Sequence, residues 1–353
     1  MAELEVVHAT GDPYERGVAI GRALADGHCR SVDFVHRYVE RHGLSVSALE
    51  PLLAFYLAAA KSAVPRLVTH LEGVAAGSGL SFTDVFAVNA FEELYGVLEL
   101  SVPPPIPIER CTDVIVRSGD GVILGHNEQW YAGDDGGVAV LVEHPDSPDE
   151  VATVAPVSVG TLPLVGMNAA GGALGLMSLS GRDERVGIPR ALLGRDGIEA
   201  TDRADAVRRA TRAGRAGGYS YAYAFAGGDA FVLEVTATRH ALLDDDVHTN
   251  HALAPDLVDV VEEPSDGSRS RYDRACSLVA GNQASTAADV MRVLSDHGAE
   301  GQDICVHPDP VQGEEGSAIQ FAMICDVEAG VMWLAPGQPC STPFVELRLG
   351  DLL

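Results

Sequence analysis

Six cysteines, Cys29, Cys111, Cys276, Cys305, Cys325 and Cys340, carry the most nucleophilic side chains in the sequence. None sits in a close pair of metal-binding or redox spacing, so no metal site is expected from them. Most read as small buried apolar groups, and Cys305 and Cys325 lie in apolar strings that suit a core. Cys111 differs in its position. It follows the break Pro103-Pro104-Pro105-Ile106-Pro107, which helix cannot cross, and it opens a run with strand character. A cut between Arg110 and Cys111 would leave Cys111 with a free α-amine, whose reference pKa is about 7.7–8.0. Such an amine can take the thiol proton without a separate histidine. The thiolate would then attack an amide or thioester carbonyl, and the acyl-enzyme would pass to water or to an amine. Taken alone, one cysteine among six is more simply a buried thiol, so the surrounding sequence has to decide.

Other groups invite chemistry less directly. His248 and His251, just after Asp244-Asp245-Asp246, suggest a metal, but a spacing of three after a strand puts them on opposite faces. Structural hydrogen bonds around the loop are the preferred reading of both histidines. Arg208, Arg212 and Arg215 form one stripe of a helix, with Arg203 and Arg209 nearby. They could receive a phosphate or coenzyme A, although such a stripe is usually a solvated face. His126, Trp130 and Tyr131 either line an acyl pocket or simply pack.

Two segments, Glu109-Arg110-Cys111-Thr112-Asp113 and Gly125-His126-Asn127-Glu128-Gln129-Trp130, resemble the processing site of the isopenicillin-N acyltransferase-like family. These are N-terminal-nucleophile hydrolases, akin to penicillin V acylase and the bile-salt hydrolases. Further pieces resemble the family in order and spacing: Gly11 to Gly17, Leu71 to Leu80, Asn89 to Glu92, Val165 to Asn168 with Ala170-Gly171, and His248 to His251.

The resemblance implies an α+β fold, the four-layer αββα sandwich. It implies a zymogen that cuts itself into a helical chain, 1–110, and a β-rich catalytic chain, 111–353, which stay together as one αββα unit. Cys111 would be both cleavage agent and catalytic nucleophile, and the side-chain amide of Asn250 would help hold the oxyanion. Three positions depart from the pattern. Arg110 stands where the penicillin enzyme has glycine, which eases a strained backbone. Asp113 stands where that enzyme has threonine. By strand alternation it shares a face with Cys111, and it either holds the α-ammonium or is a turn-side carboxylate bonded to backbone. Gln129 stands where relatives carry aspartate. Glu128 is the neighbouring substitute, but one step along a strand points to the other face. His126, Trp130 and His248 complete the surrounding candidates.

The elements that must position these groups fall into two textures. The first hundred residues read as helices: Asp12-Pro13 as a helix start running to Gly27, then Ser31 to His42, Leu49 to Ala63, a segment ending at Gly77, and Ser81 to Leu94. After Cys111 come strands at 111–116, 122–127, 137–142, 151–157, 164–168, 172–179, 219–225, 231–236, 240–243, 319–325, 331–334 and 344–349. Helices interrupt them at 200–214 and 287–297. Large antiparallel or mixed sheets covered by helices are the expected result.

The 353 residues carry a net charge of −27, and Lys61 is the only lysine. That field disfavours nucleic acid and anionic membrane surfaces as partners. The longest apolar stretch, Leu52 to Val64, is too short to span a membrane and reads as a buried helix. No export signal is read at the start, which leads to an expected cytoplasmic location with reduced thiols. The expected activity is autoproteolysis followed by hydrolysis or transfer of an acyl group from a small-molecule acyl amide or acyl thioester. No cofactor is expected, with acyl-coenzyme A as a candidate co-substrate. Two rival readings make different predictions. An unprocessed relative would bind a ligand without catalysis, and a Cys–His peptidase with His126 or His248 as base would act without an internal cut.

Overall fold

A computed structural model describes residues 4–98, 111–119, 121–263, 266–281, 284–298 and 303–353. The proline-rich break, Glu109 and Arg110 lie outside them. The chain opens with a strand, β1 (Glu5–Gly11), which sequence reading missed. Helices follow: α1 (Pro13–Ala23), α2 (Ala25–Arg41), α3 (Val46–Ala63), α4 (Pro65–Ser78), α5 (Phe82–Asn89) and α6 (Phe91–Leu98). Asp12 caps α1 in a capping box with Glu15, and Pro13 takes the first turn, as its residue types predict. The helix expected to run on to Gly27 instead breaks at Leu24, and the one expected over Ser81 to Leu94 breaks at Ala90.

The β-rich part begins with β2 (Thr112–Ser118), β3 (Gly121–Tyr131), β4 (Val138–Pro145), β5 (Thr153–Ser158), β6 (Gly166–Asn168) and β7 (Gly172–Ser178). Then come α7 (Arg190–Gly197), α8 (Arg203–Ala210), β8 (Tyr219–Phe225), β9 (Ala230–Val235), β10 (His240–Leu243) and β11 (Val247–His248). The chain closes with α9 (Asp266–Gly281), α10 (Ala287–Leu294), β12 (Ser317–Asp326), β13 (Val331–Ala335), β14 (Val345–Arg348) and α11 (Leu349–Leu352).

Two sheets result. One has eight strands in the order β1-β4-β5-β6-β7-β8-β9-β10; the other has six, β11-β2-β3-β12-β13-β14. Every pairing is antiparallel except β1 with β4. The sheets stack face to face through one apolar core that takes Ile115, Leu124 and Met323 from one and Val140, Leu174 and Val232 from the other. Helices α9 and α10 cover the outer face of the six-stranded sheet, packing Ala275, Val290, Val293 and Leu294 on Val114, Val116 and Ile324. Helices α1, α7 and α8 lie against the eight-stranded sheet. The fold is therefore the α+β, four-layer αββα sandwich. A second cluster, from α2 through α6 with Tyr131, Leu162 and Leu192, closes one end of it. Among the described residues no single helix is long and apolar enough to cross a membrane.

Helices α1 and α4 meet backbone to backbone. A Cβ on Gly17 would lie 2.1 Å from the carbonyl oxygen of His70, and one on Gly73 2.2 Å from that of Tyr14. Gly21 and Gly77 repeat the contact one turn on, each at 2.3 Å. The adjacent Arg16 is buried and bonds Glu143 on β4 at 3.0 Å and Glu150 at 2.6 Å. Arg195 of α7 reaches the other oxygen of Glu143 at 2.8 Å. These contacts tie the helical part to the larger sheet. A side chain at Gly73 must push two helix backbones apart, and there is no flexible neighbour to yield. Gly73→Ala is expected to lower stability by about 1–3 kcal/mol, read from a shifted urea midpoint at unchanged slope.

Candidate active site

Cys111 sits one residue before β2, at the end of a strand that has neighbours on both sides. Its side chain is 7% exposed and lines a cleft holding about 790 Å³ of space, open mouth included. The walls are mostly apolar, from Val88, Phe91, Trp130, Leu162, Leu176 and Phe321 among others. Among the described residues the polar lining includes Glu92, Glu93, Glu128, Ser178 and Tyr219, and no histidine. The Cys111 thiol lies 3.8 Å from the Gln129 carbonyl oxygen, and the Gln129 N–H points at Sγ from 3.5 Å. Burial raises the thiol pKa well above its ordinary value. Glu128 and Asp113 push the same way, against the Gln129 N–H and the Arg271 guanidinium. In this environment the thiol keeps its proton at neutral pH.

Beneath the cysteine runs a buried polar row. Asp113 on β2 pairs with His126 on β3 and with His248 on β11, so the three side chains emerge on one face, toward the other sheet. Asp113 Oδ1 lies 2.6 Å from His126 Nδ1, and Glu128 Oε2 lies 3.0 Å from Nε2. Burial alone would lower the His126 pKa; the two carboxylates more than reverse that and push it up to about 9. His126 is thus charged at neutral pH, bonded at both nitrogens, and outside the cleft lining. It is no base for Cys111. His248 Nε2 lies 2.8 Å from Glu234 Oε1, and His248 is outside the cleft lining. The Cys–His peptidase reading loses both of its bases.

Several expectations need correction. Asp113 is no turn-side group bonded to backbone; it lies inside the sheet against an imidazole, and Gly175 leaves the room for it, since a Cβ there would lie 2.6 Å from its carboxylate. The faces of Glu128 and Gln129 are the reverse of the expected ones. Glu128 shares the inner face with His126. The Gln129 side chain donates to Ser317 at 2.9 Å, and its backbone meets the Cys111 thiol. A bulge in β12 between Ile319 and Phe321 lies opposite this point. Trp130 lines the cleft and donates to Asp134 at 2.9 Å, whereas Tyr131 packs in the helical cluster.

Asn250 follows β11 in a loop pinned by Glu234, whose carboxylate accepts the N–H groups of Leu253 and Ala254. Its amide donates to the Ser178 carbonyl at 3.1 Å, and its oxygen accepts from Arg271 at 2.9 Å. Ser178 belongs to the cleft wall, so Asn250 stands directly behind it. His251 bonds Ser268 at 2.9 Å, which fits the structural reading of both histidines. Their rings nevertheless stack 6.4 Å apart, because the strand ends at His248 and alternation stops there.

The arginine stripe dissolves. Helix α8 ends at Ala210, so Arg212 and Arg215 are not on it. Arg209 and Arg212 bond Asp196, Arg208 bonds Asp205, Arg203 bonds Asp229, and Arg215 is buried against backbone carbonyls. All five cations are committed within the chain.

Sequence reading assigned no role to a second polar cluster in the cleft. Glu92 accepts from Tyr219 Oη at 2.6 Å and from Ser178 Oγ at 3.2 Å. Burial raises its pKa to about 7, against the pull of Arg190, Tyr219 and Ser178. The only sequence signal was its place in the segment Asn89 to Glu92.

The charged His126 makes stability depend on pH. Its folded pKa, about 9, is above the unfolded value near 6.5, so the stabilisation is complete below 6.5 and is lost as pH rises through 9. Wild-type stability is expected to fall by about 3 kcal/mol across that window, and His126→Gln is expected to remove most of the slope, measured by urea unfolding at stepped pH.

The description acyl-coenzyme A:6-aminopenicillanic acid acyl-transferase belongs to the family whose sequence profile matches residues 116–340. Curated proteins give no match. Among solved structures, penicillin V acylase from Agrobacterium tumefaciens is similar at 12% identity, covering 68% of this chain and 86% of that one, with a TM-score of 0.46. A C2A mutant of conjugated bile acid hydrolase from Clostridium perfringens is similar at 11% identity, with 68% and 93% covered and the same TM-score. With the profile extending over well more than half its length, the chain belongs to the acyl-coenzyme A:6-aminopenicillanic acid acyl-transferase family.

Proposed function

We propose that this protein is an N-terminal-cysteine enzyme that cuts its own chain before Cys111 and then moves or hydrolyses an N-acyl group. One observation carries the reading: among the described residues, Cys111 is the only cysteine lining the cleft, and no histidine lines it. A buried thiol with a raised pKa needs a base, and the α-amine released at residue 111 is the base that comes with the nucleophile. Asp113 and Glu128 act electrostatically on this residue, so the same two carboxylates that hold back the thiolate favour an ammonium there. The family fits the chemistry, since its description names an acyl transfer to an amine.

The first step takes the thiol proton to the amine. Sγ then adds to the acyl carbonyl, and the negative charge collects on the oxygen. Asn250, with one amide hydrogen on Ser178 and its oxygen held by Arg271, supplies the second hydrogen to that oxyanion. Collapse expels the amine, which takes the proton held on the α-ammonium, and leaves a thioester, which water or another amine resolves. The apolar walls suit an apolar acyl chain, and the cluster of Glu92, Glu93 and Glu128 suits a cationic or neutral amine portion. The net charge of −27 tilts the reading toward hydrolysis over a polyanionic acyl-coenzyme A donor. After the cut, β1 of the first piece remains paired with β4 of the second, which would hold the two chains together as one αββα unit.

Mature protein is expected to run on a denaturing gel as pieces of about 12 and 25 kDa, with the larger beginning at Cys111. Cys111→Ala is expected to stay intact and inactive. Turnover by an uncut wild-type chain would sink the proposal. Asn250→Ala is expected to cut kcat by about 10²–10³-fold with KM little changed. A panel of acyl amides and acyl thioesters, with and without amine acceptors, separates the outcomes. Product only from a thioester plus an amine would make the enzyme a transferase. Glu92→Gln is expected to flatten the pH dependence of KM for cationic amides around pH 7.

A further inference from the structure

Four side chains far apart in sequence meet on the far side of the six-stranded sheet. His297 lies just beyond α10, Cys305 and His307 follow in the same connection, and Cys340 sits in the turn between β13 and β14. One ligand atom from each lies within 4.8 Å of all the others. His307 Nε2 is 3.1 Å from Cys340 Sγ and 3.9 Å from Cys305 Sγ, and the His297 and His307 rings are 5.1 Å apart. We infer that His297, Cys305, His307 and Cys340 form a four-coordinate site for zinc or a similar borderline-soft divalent cation.

The spacing fits. Bonds of about 2.3 Å to sulfur and about 2.0–2.1 Å to nitrogen make tetrahedron edges of about 3.3–3.8 Å. The separations of 3.1 and 3.9 Å bracket those edges and all four ligand atoms lie within 4.8 Å, so a cation would shift them by about 1 Å or less. Two thiolates and two imidazoles are a donor set that selects zinc over magnesium or calcium. The surroundings also fit. Asp303 lies 3.5 Å from His297 Nδ1, where a carboxylate fixes a liganding ring through its second nitrogen. The Asp296 carbonyl accepts the N–H groups of Ile304 and Cys305, which shapes the connection, and its carboxylate is held by Arg274.

All four positions are filled by protein, so the site is structural rather than catalytic. What it would clip together is the connection after α10 and the β13–β14 turn. Both hold β12 at its bulge: Val306 accepts from the Ile319 N–H, and Gln338 donates to the Ile319 carbonyl at 2.9 Å. Ile319 pairs with Gln129, whose backbone holds Cys111. The cation would thus brace the rear of the cleft without touching it.

The test is cobalt titration of the full-length protein, stripped with chelator and kept reduced. The expected result is one equivalent of four-coordinate cobalt, with strong visible bands and a thiolate charge-transfer band, displaced by one equivalent of zinc. Cys340→Ser and His307→Ala, both at exposed positions, are each expected to lose or weaken that spectrum; Cys111→Ala should keep it. In wild-type protein, zinc should also protect the exposed Cys340 from alkylation, a readout that does not depend on a variant folding. Pale six-coordinate cobalt in wild type, an unchanged spectrum in Cys340→Ser, or alkylation indifferent to zinc would overturn the inference. So would a Cys305–Cys340 disulfide in protein isolated without reductant.

Discussion

The bond between Asp113 and His126 decides what the cleft can do. It joins two neighbouring strands through side chains on their inner face, and so locks β2 to β3 in a register that leaves Cys111 beside the backbone of Gln129. A slip of one residue would turn Cys111 out of the cleft and Asp113 out of the space left by Gly175. The same bond, with Glu128 on the other nitrogen, keeps the imidazole charged. A histidine two strand positions from a cysteine would ordinarily be the first candidate for its base. Here two carboxylates remove it from that role.

This row is buried, and buried charges need complete pairing to avoid a penalty of several kcal/mol. The charged His126 is met by two carboxylates, while Glu234 bonds His248 Nε2 and two backbone N–H groups of the Asn250 loop; Asp113 Oδ2 and His248 Nδ1 have no hydrogen bond among the described residues. Glu234 therefore connects the eight-stranded sheet, the end of β11 and the loop that carries Asn250. A similar arrangement fixes the helical part, where Glu143 sits between Arg16 and Arg195 and has its pKa lowered to about 2 by Arg195, His70 and Arg16 despite the burial that opposes them. Polar networks hold the positions of the two halves, while the sheet stack supplies the apolar area.

Much of the architecture was legible because it is local. Helix starts at Asp12-Pro13 and the strands at 219–225 and 240–243 follow from capping chemistry and short β-rich runs. Failures came where tertiary contacts override local pattern. Helix α7 carries Arg190, Arg195 and Asp196, all buried, and so lacks an amphipathic stripe to detect. Arg208, Arg212 and Arg215 look like one stripe only while the helix is assumed to continue past Ala210. Strand alternation set Asp113 with Cys111 correctly but mis-set Glu128, because that reading counted from Gln129 rather than from His126. In the cleft, Cys111 was singled out by the family resemblance of the segments around it, and Trp130 takes the lining role that was one of its two readings. Glu92 and Tyr219 are 127 residues apart, and nothing in either segment announces the other. The Cys305, His307 and Cys340 cluster fails the same way, since spacing rules detect metal sites only when ligands come in close pairs.

The electrostatics around Cys111 bear on the order of events in the proposed mechanism. Burial and two nearby carboxylates disfavour a thiolate, so an intact chain would hold Cys111 as the thiol, and its one reaction there would be intramolecular attack on the adjoining peptide bond. The same field favours a positive charge at residue 111, and peptide cleavage is the event that creates a protonatable group there. An α-amine on residue 111, in the field of Asp113 and Glu128, would have its charged form favoured, and a stronger base takes the thiol proton more completely. Acidic surroundings that look wrong for a cysteine nucleophile are right for a cysteine whose base is its own amine. Reactivity would then be gated by backbone chemistry, and no conformational change would be required to switch it on.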